Sequence, residues 1–260
     1  MRAVILAAGR GRRLGADQPK CLHEVGGESM LVRMLGALRR AGVARASLVL
    51  GYRDEDVRAA VAALPQGGLP EVSFLQNERY ERGSILSLYR VRQELFGQDD
   101  LLVMDADVVF PDALLTRLLG SSYESAFLLD RRATASGEEM MLVAREDTQR
   151  RRVLRIARRV RPAPGDVVGE GVGFLKLARA HQPALAAVLD DRVERGELDL
   201  DYEQALDRWL PEAEVGYEET AGLPWTEVDF AEDLERAERE VLPALEAQAA
   251  AAGAPAGEDA

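Results

Sequence analysis

The chain has 260 residues, a formal net charge of −12, one cysteine (Cys21) and two histidines (His23 and His181); that length suffices for one large α/β domain, or one domain with an insert. The lone thiol excludes an internal disulfide and suits a reducing cytoplasm, and a metal site of Cys/His type is excluded as well. The acidic balance argues against a nucleic-acid partner, no apolar run approaches the roughly 20 residues of a membrane span, and Met1 to Gly9 is too short for a signal peptide.

Ala3 to Leu6 reads as a buried strand. It breaks through Ala7-Ala8-Gly9 into a basic loop, Arg10-Gly11-Arg12-Arg13-Leu14-Gly15, that closes on Pro19-Lys20. A strand running directly into a glycine-rich cationic loop brings backbone N–H groups and positive charge up to a polyphosphate. A dinucleotide fingerprint fails, because Leu14 stands where the third glycine belongs and no acid ends the second strand. A P-loop fails because no window supplies G-x-x-x-x-G-K-[ST].

Ser29 caps a helix through Leu38, which Gly42 ends. Strands then alternate with helices: Ala46 to Leu50, helix 54–64, Glu71 to Leu75, helix 84–95, and Asp100 to Met104. This alternation predicts an α/β fold with a mostly parallel, Rossmann-like sheet flanked by helices. Ligands of such sheets sit at the carboxyl ends of the strands, which places the opening loop, Asn77 to Ser87 and Asp105-Ala106-Asp107 on one rim. After Asp107 the rhythm changes to short strands at Ser125 to Asp130, Met140 to Arg145, Val153 to Ile156 and Val172 to Leu177, a smaller β-rich subregion suited to an acceptor. Helices follow at 180–195 and 202–209, then strands at Val215 to Glu219 and Trp225 to Val228, then a long helix from Ala231. The expected organisation is a single domain over 1–247, with a nucleotide-binding half to about 122 and an acceptor-binding half from 123. The alanine-rich tail 248–260 is expected to be disordered.

Asp105 and Asp107 end a strand two residues apart, so an extended chain points both carboxylates to one side. Glu227 and Asp229 repeat that spacing. Carboxylates in ones and twos, with substrate phosphates, are what Mg²⁺ takes. Attack on the α-phosphorus of a triphosphate by a phosphate monoester needs no general base, since the monoester is largely deprotonated at neutral pH (second pKa about 6). It needs two anions aligned and charge neutralised. Both histidines read as structural, and no G-x-S-x-G elbow supports a hydrolase. In Asn77 to Leu88, Gly83 and Ser84 open a helix whose free N–H groups suit a base carbonyl or a phosphate, though Ser84 and Ser87 also read as a cap and a first-turn residue.

The string L-A-A-G-x-G-x-R-L followed by P-K resembles the signature of the nucleotidyltransferase superfamily. N-x-x-Y…S-L-Y (from Asn77), M-D-A-D, G-E-x-V-G-F (Gly169 to Phe174) and L-P-W-x-E-x-D-x-x-x-D-L (Leu223 to Leu234) extend it over most of the chain. They are similar to the phosphocholine cytidylyltransferase-like proteins of bacteria. The resemblance implies nucleotide binding by Leu6, Ala7, Ala8, Gly9, Gly11, Asn77, Gly83, Ser84, Ser87 and Asp105. It implies phosphate-directed catalytic roles for Arg13 and Lys20, and Mg²⁺ on Asp107, Glu227 and Asp229. Arg131, Arg158 and Glu170 would lie toward the acceptor.

One departure bears on the acceptor. Phosphocholine enzymes that resemble this segment carry an aromatic pair after the glutamate, where Glu139 is here followed by Met140-Met141, and a trimethylammonium calls for an aromatic cage. The expected activity is Mg²⁺-dependent transfer of CMP from CTP to a phosphorylated small alcohol. The alternatives are a sugar-1-phosphate or cyclitol-phosphate nucleotidyltransferase using UTP, dTTP, GTP or ATP, and a nucleotide-binding regulatory protein without turnover. The oligomeric state stays open, a homodimer included.

Overall fold

The computed structural model describes residues 1–15, 17–65, 67–132, 137, 139–148 and 150–253. In chain order it comprises β1 (Arg2–Ala7), β2 (Glu24–Val25), β3 (Glu28–Ser29), α1 (Met30–Arg40), β4 (Arg45–Leu50), α2 (Asp54–Ala62), β5 (Glu71–Gln76), α3 (Ile85–Leu95), β6 (Leu101–Asp105), β7 (Val108–Val109), α4 (Asp112–Leu119), β8 (Ser125–Asp130), β9 (Met141–Glu146) and β10 (Arg151–Ala157). Then come β11 (Val167–Leu177), α5 (Gln182–Glu194), α6 (Tyr202–Trp209), β12 (Val215–Glu219), β13 (Thr226–Glu227), α7 (Ala231–Arg236) and α8 (Leu242–Gly253). A π-helical segment at Ala237–Val241 joins the last two.

The opening strand lies in the interior of the sheet. It pairs in parallel with β4 on one side and β6 on the other, and β4 carries β5 at the edge. β11 then runs antiparallel to β6 through Phe174 to Leu177. Because β11 is 11 residues long, it also meets β9 and β8, and β8 carries β12. The β-rich second half therefore joins the same nine-stranded mixed sheet. Side chains alternate across the pleat: Ala3 and Ile5 enter one core with α1 and α4, while Val4 enters the other with α3, α5 and α6.

Local chemistry explains the helix starts. The Ser29 hydroxyl accepts from the Val32 N–H and caps α1, and Asp54, Glu55 and Asp56 fill the first turn of α2, where the helix dipole favours acids. α4 and the two-residue strand β7 were not expected from the sequence, while β13 falls inside the strand expected at Trp225 to Val228. They matter, because β7 and β13 form a ladder of their own with Glu227 opposite Val108. A third apolar cluster, Val25, Met30, Val109, Val228, Ala237 and Val241, packs this ladder against the C-terminal helices. Order also extends further than expected at the C-terminus. α8 continues to Gly253, past the start of the expected tail, and residues 254–260 lie outside the described residues. Among the described residues no helix is long and apolar enough to cross a membrane.

Candidate active site

The strand end after β6 and the β7–β13 ladder bring the two distant acidic pairs together. Val228 N–H donates to the Asp107 carbonyl at 2.9 Å, so the backbone around Asp107 is fixed to the segment carrying Glu227 and Asp229. One carboxylate oxygen from each of Asp107, Glu227 and Asp229 lies within 4.8 Å of the others. Asp233 secures the far side: its carboxylate accepts the N–H groups of Asp229 (3.0 Å) and Phe230 (2.9 Å).

Lys20 enters this cluster from the opening loop. Its ammonium donates to Asp107 Oδ2 at 2.6 Å and to Asp229 Oδ1 at 2.5 Å. Burial works against its charge, but the two carboxylates outweigh burial and raise its pKa above the ordinary lysine value. Arg13 stands at the mouth, 3.8 Å from Asp229 and over the exposed ring of Phe230. Asp107 Oδ1 is buried without a hydrogen-bond partner. A buried carboxylate oxygen left unpaired is costly, and a cation at the cluster of Asp107, Glu227 and Asp229 would satisfy it. The donor set therefore fits Mg²⁺: hard oxygens, clustered, with one orphaned lone-pair site. Desolvation, followed by Asp107 and Asp229, pushes the Glu227 carboxyl up to about 8, the response of a cluster short of positive charge.

These groups line one cavity of about 300 Å³, which continues toward the second half of the chain past Met140, Ile156, Arg158, Tyr202, Glu203 and Leu206. Asp105 turns to that side. Its Oδ2 accepts from the Tyr202 hydroxyl at 2.8 Å, and a Cβ on Gly173 would overlap its carboxylate. Burial and the neighbouring acids raise the Asp105 pKa well above the ordinary range, and Glu203 is pushed up to about 7, chiefly by burial. Arg158 pairs with Asp201 at 3.3 Å beside Glu203.

The cavity thus unites Arg13, Lys20, Asp105, Asp107, Arg158, Glu227 and Asp229. Within it Asp105, read from the sequence as a nucleotide contact, accepts from the Tyr202 hydroxyl. Other expected contacts lie elsewhere. Asn77 and Ser87 are buried and satisfy each other at 3.1 Å. The N–H groups at the start of α3 are not free: Gly83 donates to Leu198 and Ile85 to Leu200, while the Ser84 hydroxyl accepts from Tyr202 N–H. That stretch therefore docks the 198–202 segment onto the start of α3. Arg131 does not reach the cavity; Glu146, Glu219 and the Tyr217 hydroxyl hold it. Glu170 lies outside the lining too, paired across the sheet with Met141 and Asp130. Leu6, Ala7 and Ala8 are wholly or partly buried under the loop and Gly9 is exposed. A second hollow of about 250 Å³ opens beside them between Arg10, Gly11, Tyr80 and Glu81. Tyr202, Glu203 and Met140 are cavity residues that the sequence reading did not assign. The signal available was the acidic cluster Asp199, Asp201 and Glu203 at the start of α6.

Residues 3–196 match the MobA-like NTP transferase domain, and the chain belongs to that family. Those residues form a domain of the nucleotidyltransferase type. Among sequence relatives, the bifunctional protein GlmU of Xanthobacter autotrophicus is 40% identical over 114 residues, which cover 43% of this chain and 24% of GlmU. The CMP-5'-(3-aminopropyl)phosphonate synthase of Streptomyces rubellomurinus is 35% identical over 134 residues, covering 50% of this chain and 21% of that protein. The chain thus spans less than a quarter of the length of these curated relatives. Two solved structures share the fold over almost the whole chain. The inositol-1-phosphate CTP transferase of T. maritima has a TM-score of 0.73 at 19% identity, covering 94% of this chain and 96% of its own. The CTP:phosphocholine cytidylyltransferase of Streptococcus pneumoniae has a TM-score of 0.69 at 21% identity, covering 91% and 97%.

Proposed function

We propose that the chain transfers CMP from CTP to a phosphorylated small alcohol, with Mg²⁺ held by Asp107 and Asp229 and assisted by Glu227, and releases pyrophosphate. The observation that carries this is the placement of Lys20 between Asp107 and Asp229, with one Asp107 oxygen left unpaired. Five carboxyl groups line the cavity against three cationic side chains, Arg13, Lys20 and Arg158. A triphosphate entering that cavity alone would meet repulsion, which a divalent ion held by Asp107, Glu227 and Asp229 would offset by neutralising phosphoryl charge. Lys20 and Arg13 stabilise the charge that develops as pyrophosphate departs, and Arg158, across the cavity, orients the acceptor phosphate. No side chain need remove a proton from that phosphate.

The choice of CTP draws on the two CTP-using fold neighbours and on the CMP named in the Streptomyces relative. Met140 lines the cavity together with the rings of Phe127, Phe174 and Tyr202, so phosphocholine belongs among the acceptors to be tested. A second reading, transfer to a sugar or cyclitol phosphate from another triphosphate, is favoured by the similarity to GlmU. Pyrophosphate release measured with CTP, UTP, dTTP, GTP and ATP against a panel of alcohol, cyclitol and sugar phosphates separates them. The proposal expects CTP with an alcohol or inositol phosphate to be fastest; a sugar 1-phosphate with another nucleotide being fastest would replace it.

A further inference from the structure

Asp130 ends β8 away from the cavity, is 6% exposed, and is among the most heavily bonded carboxylates in the molecule. Its Oδ1 accepts from the Arg132 backbone N–H at 2.9 Å, and its Oδ2 from the Arg132 guanidinium at 3.0 Å and the Trp225 indole N–H at 2.8 Å. The same guanidinium donates to the carbonyls of Gly222 at 3.0 Å and Leu223 at 3.1 Å. Burial opposes the charge on Asp130, yet these donors keep its pKa below the ordinary aspartate value.

What this clamp grips is a turn that would not hold its shape alone. Ala221 and Gly222 both have positive φ, +50° and +82°. For alanine that conformation costs on the order of 1 kcal/mol and persists only where the surroundings impose it. The turn leads directly through Trp225 into β13, and Glu227 and Asp229 follow within four residues. The clamp sets where β13 begins, the ladder to β7 sets its direction, and the acidic pair is carried at its end.

We propose that Asp130, Arg132 and Trp225 are positioning residues for the metal carboxylates: they touch no substrate, and fix the approach of Glu227 and Asp229 to Asp107. The inference rests on the metal reading of that cluster. Residues outside the ligand set that orient ligands typically change metal affinity by about 10–100-fold when altered.

The test is Mn²⁺ titration of the full chain, without nucleotide, followed by electron paramagnetic resonance, alongside the Mg²⁺ concentration for half-maximal pyrophosphate release. Asp130→Asn opposes an amide N–H to the donors of Arg132 and Trp225, and is expected to weaken Mn²⁺ binding by about tenfold or more. Trp225→Phe, which keeps the ring and removes one hydrogen bond, acts in the same direction with a stable fold. Arg132→Ala acts likewise, and Arg132→Lys recovers part of the loss. At saturating Mg²⁺ the turnover of Trp225→Phe returns toward wild type, which a loss of folded enzyme would not allow. Wild-type Mn²⁺ affinity and Mg²⁺ requirement in folded variants would overturn the positioning role, while loss of Mn²⁺ binding in Asp107→Ala would leave the metal reading standing. Unchanged Mn²⁺ binding in Asp107→Ala itself would remove both.

Discussion

Lys20→Met removes one charge and keeps the aliphatic stem. In the folded chain the ammonium is the shared partner of Asp107 and Asp229, with side-chain exposures of 14%, 18% and 37% respectively. Deleting one partner of a buried ion pair costs about 3–5 kcal/mol. Asp229 is partly exposed, so solvent screening lowers the expectation here to about 2–3 kcal/mol. For a chain of this size that corresponds to a fall in Tm of roughly 5–10 °C in metal-free buffer. The carboxylates then lack their cation, and Mg²⁺ at about 100 times its dissociation constant should return about 2.7 kcal/mol. Turnover should still fall by about 10²–10³, because the ammonium that neutralises the departing phosphates is gone. Differential scanning calorimetry with EDTA and with Mg²⁺ reads the first effect, and pyrophosphate release the second. A Lys20→Met protein with wild-type Tm in EDTA, or with no Mg²⁺ response, would refute the electrostatic account of the cluster.

Three further outcomes are expected. Desolvation, with Glu139 and Asp130 adding to it, pushes Glu170 up to about 7, so the folded chain keeps a proton that the unfolded chain releases near the ordinary glutamate value. Stability therefore falls as pH rises through that window, and Glu170→Gln should gain roughly 1–2 kcal/mol at pH 8 and nothing at pH 4, read by urea melts at both. Gly173→Ala places a methyl group on the Asp105 carboxylate at a φ of +79°; we expect a loss of about 2 kcal/mol or more together with impaired turnover, and a neutral variant would mean Asp105 is free to move. Ser84→Ala should cost about 1 kcal/mol by releasing the Tyr202 N–H, with hydrogen exchange rising at 198–202; unchanged exchange there would show that Ser84 does not dock that segment.

Much of this was legible because its determinants are local. The opening loop is one contiguous string, the i,i+2 acidic pairs announce themselves, and alternating strands and helices set the parallel half of the sheet. Tyr202–Trp209 and Val215–Glu219 begin and end where periodicity put them. What escaped depends on partners far along the chain. The N–H groups that open α3 look free until residues 198–200 arrive to accept them. Arg131 looks available until Glu146 and Glu219 fold against it. β7 is two residues long, too short for any periodicity to register, yet its pairing with β13, inside the strand expected at Trp225 to Val228, is what joins Asp107 to Glu227. α4 carries Leu114, Leu115 and Leu118 at helical spacing, but at eight residues it spans barely two turns, a short window for that period.

The most direct test is anomalous diffraction from crystals grown with Mn²⁺ and CTP. A single strong peak within coordination distance of Asp107 and Asp229, with triphosphate oxygens completing the shell and Lys20 turned onto a phosphate, is the predicted result. Ordered triphosphate with the metal bound away from those two carboxylates would contradict it.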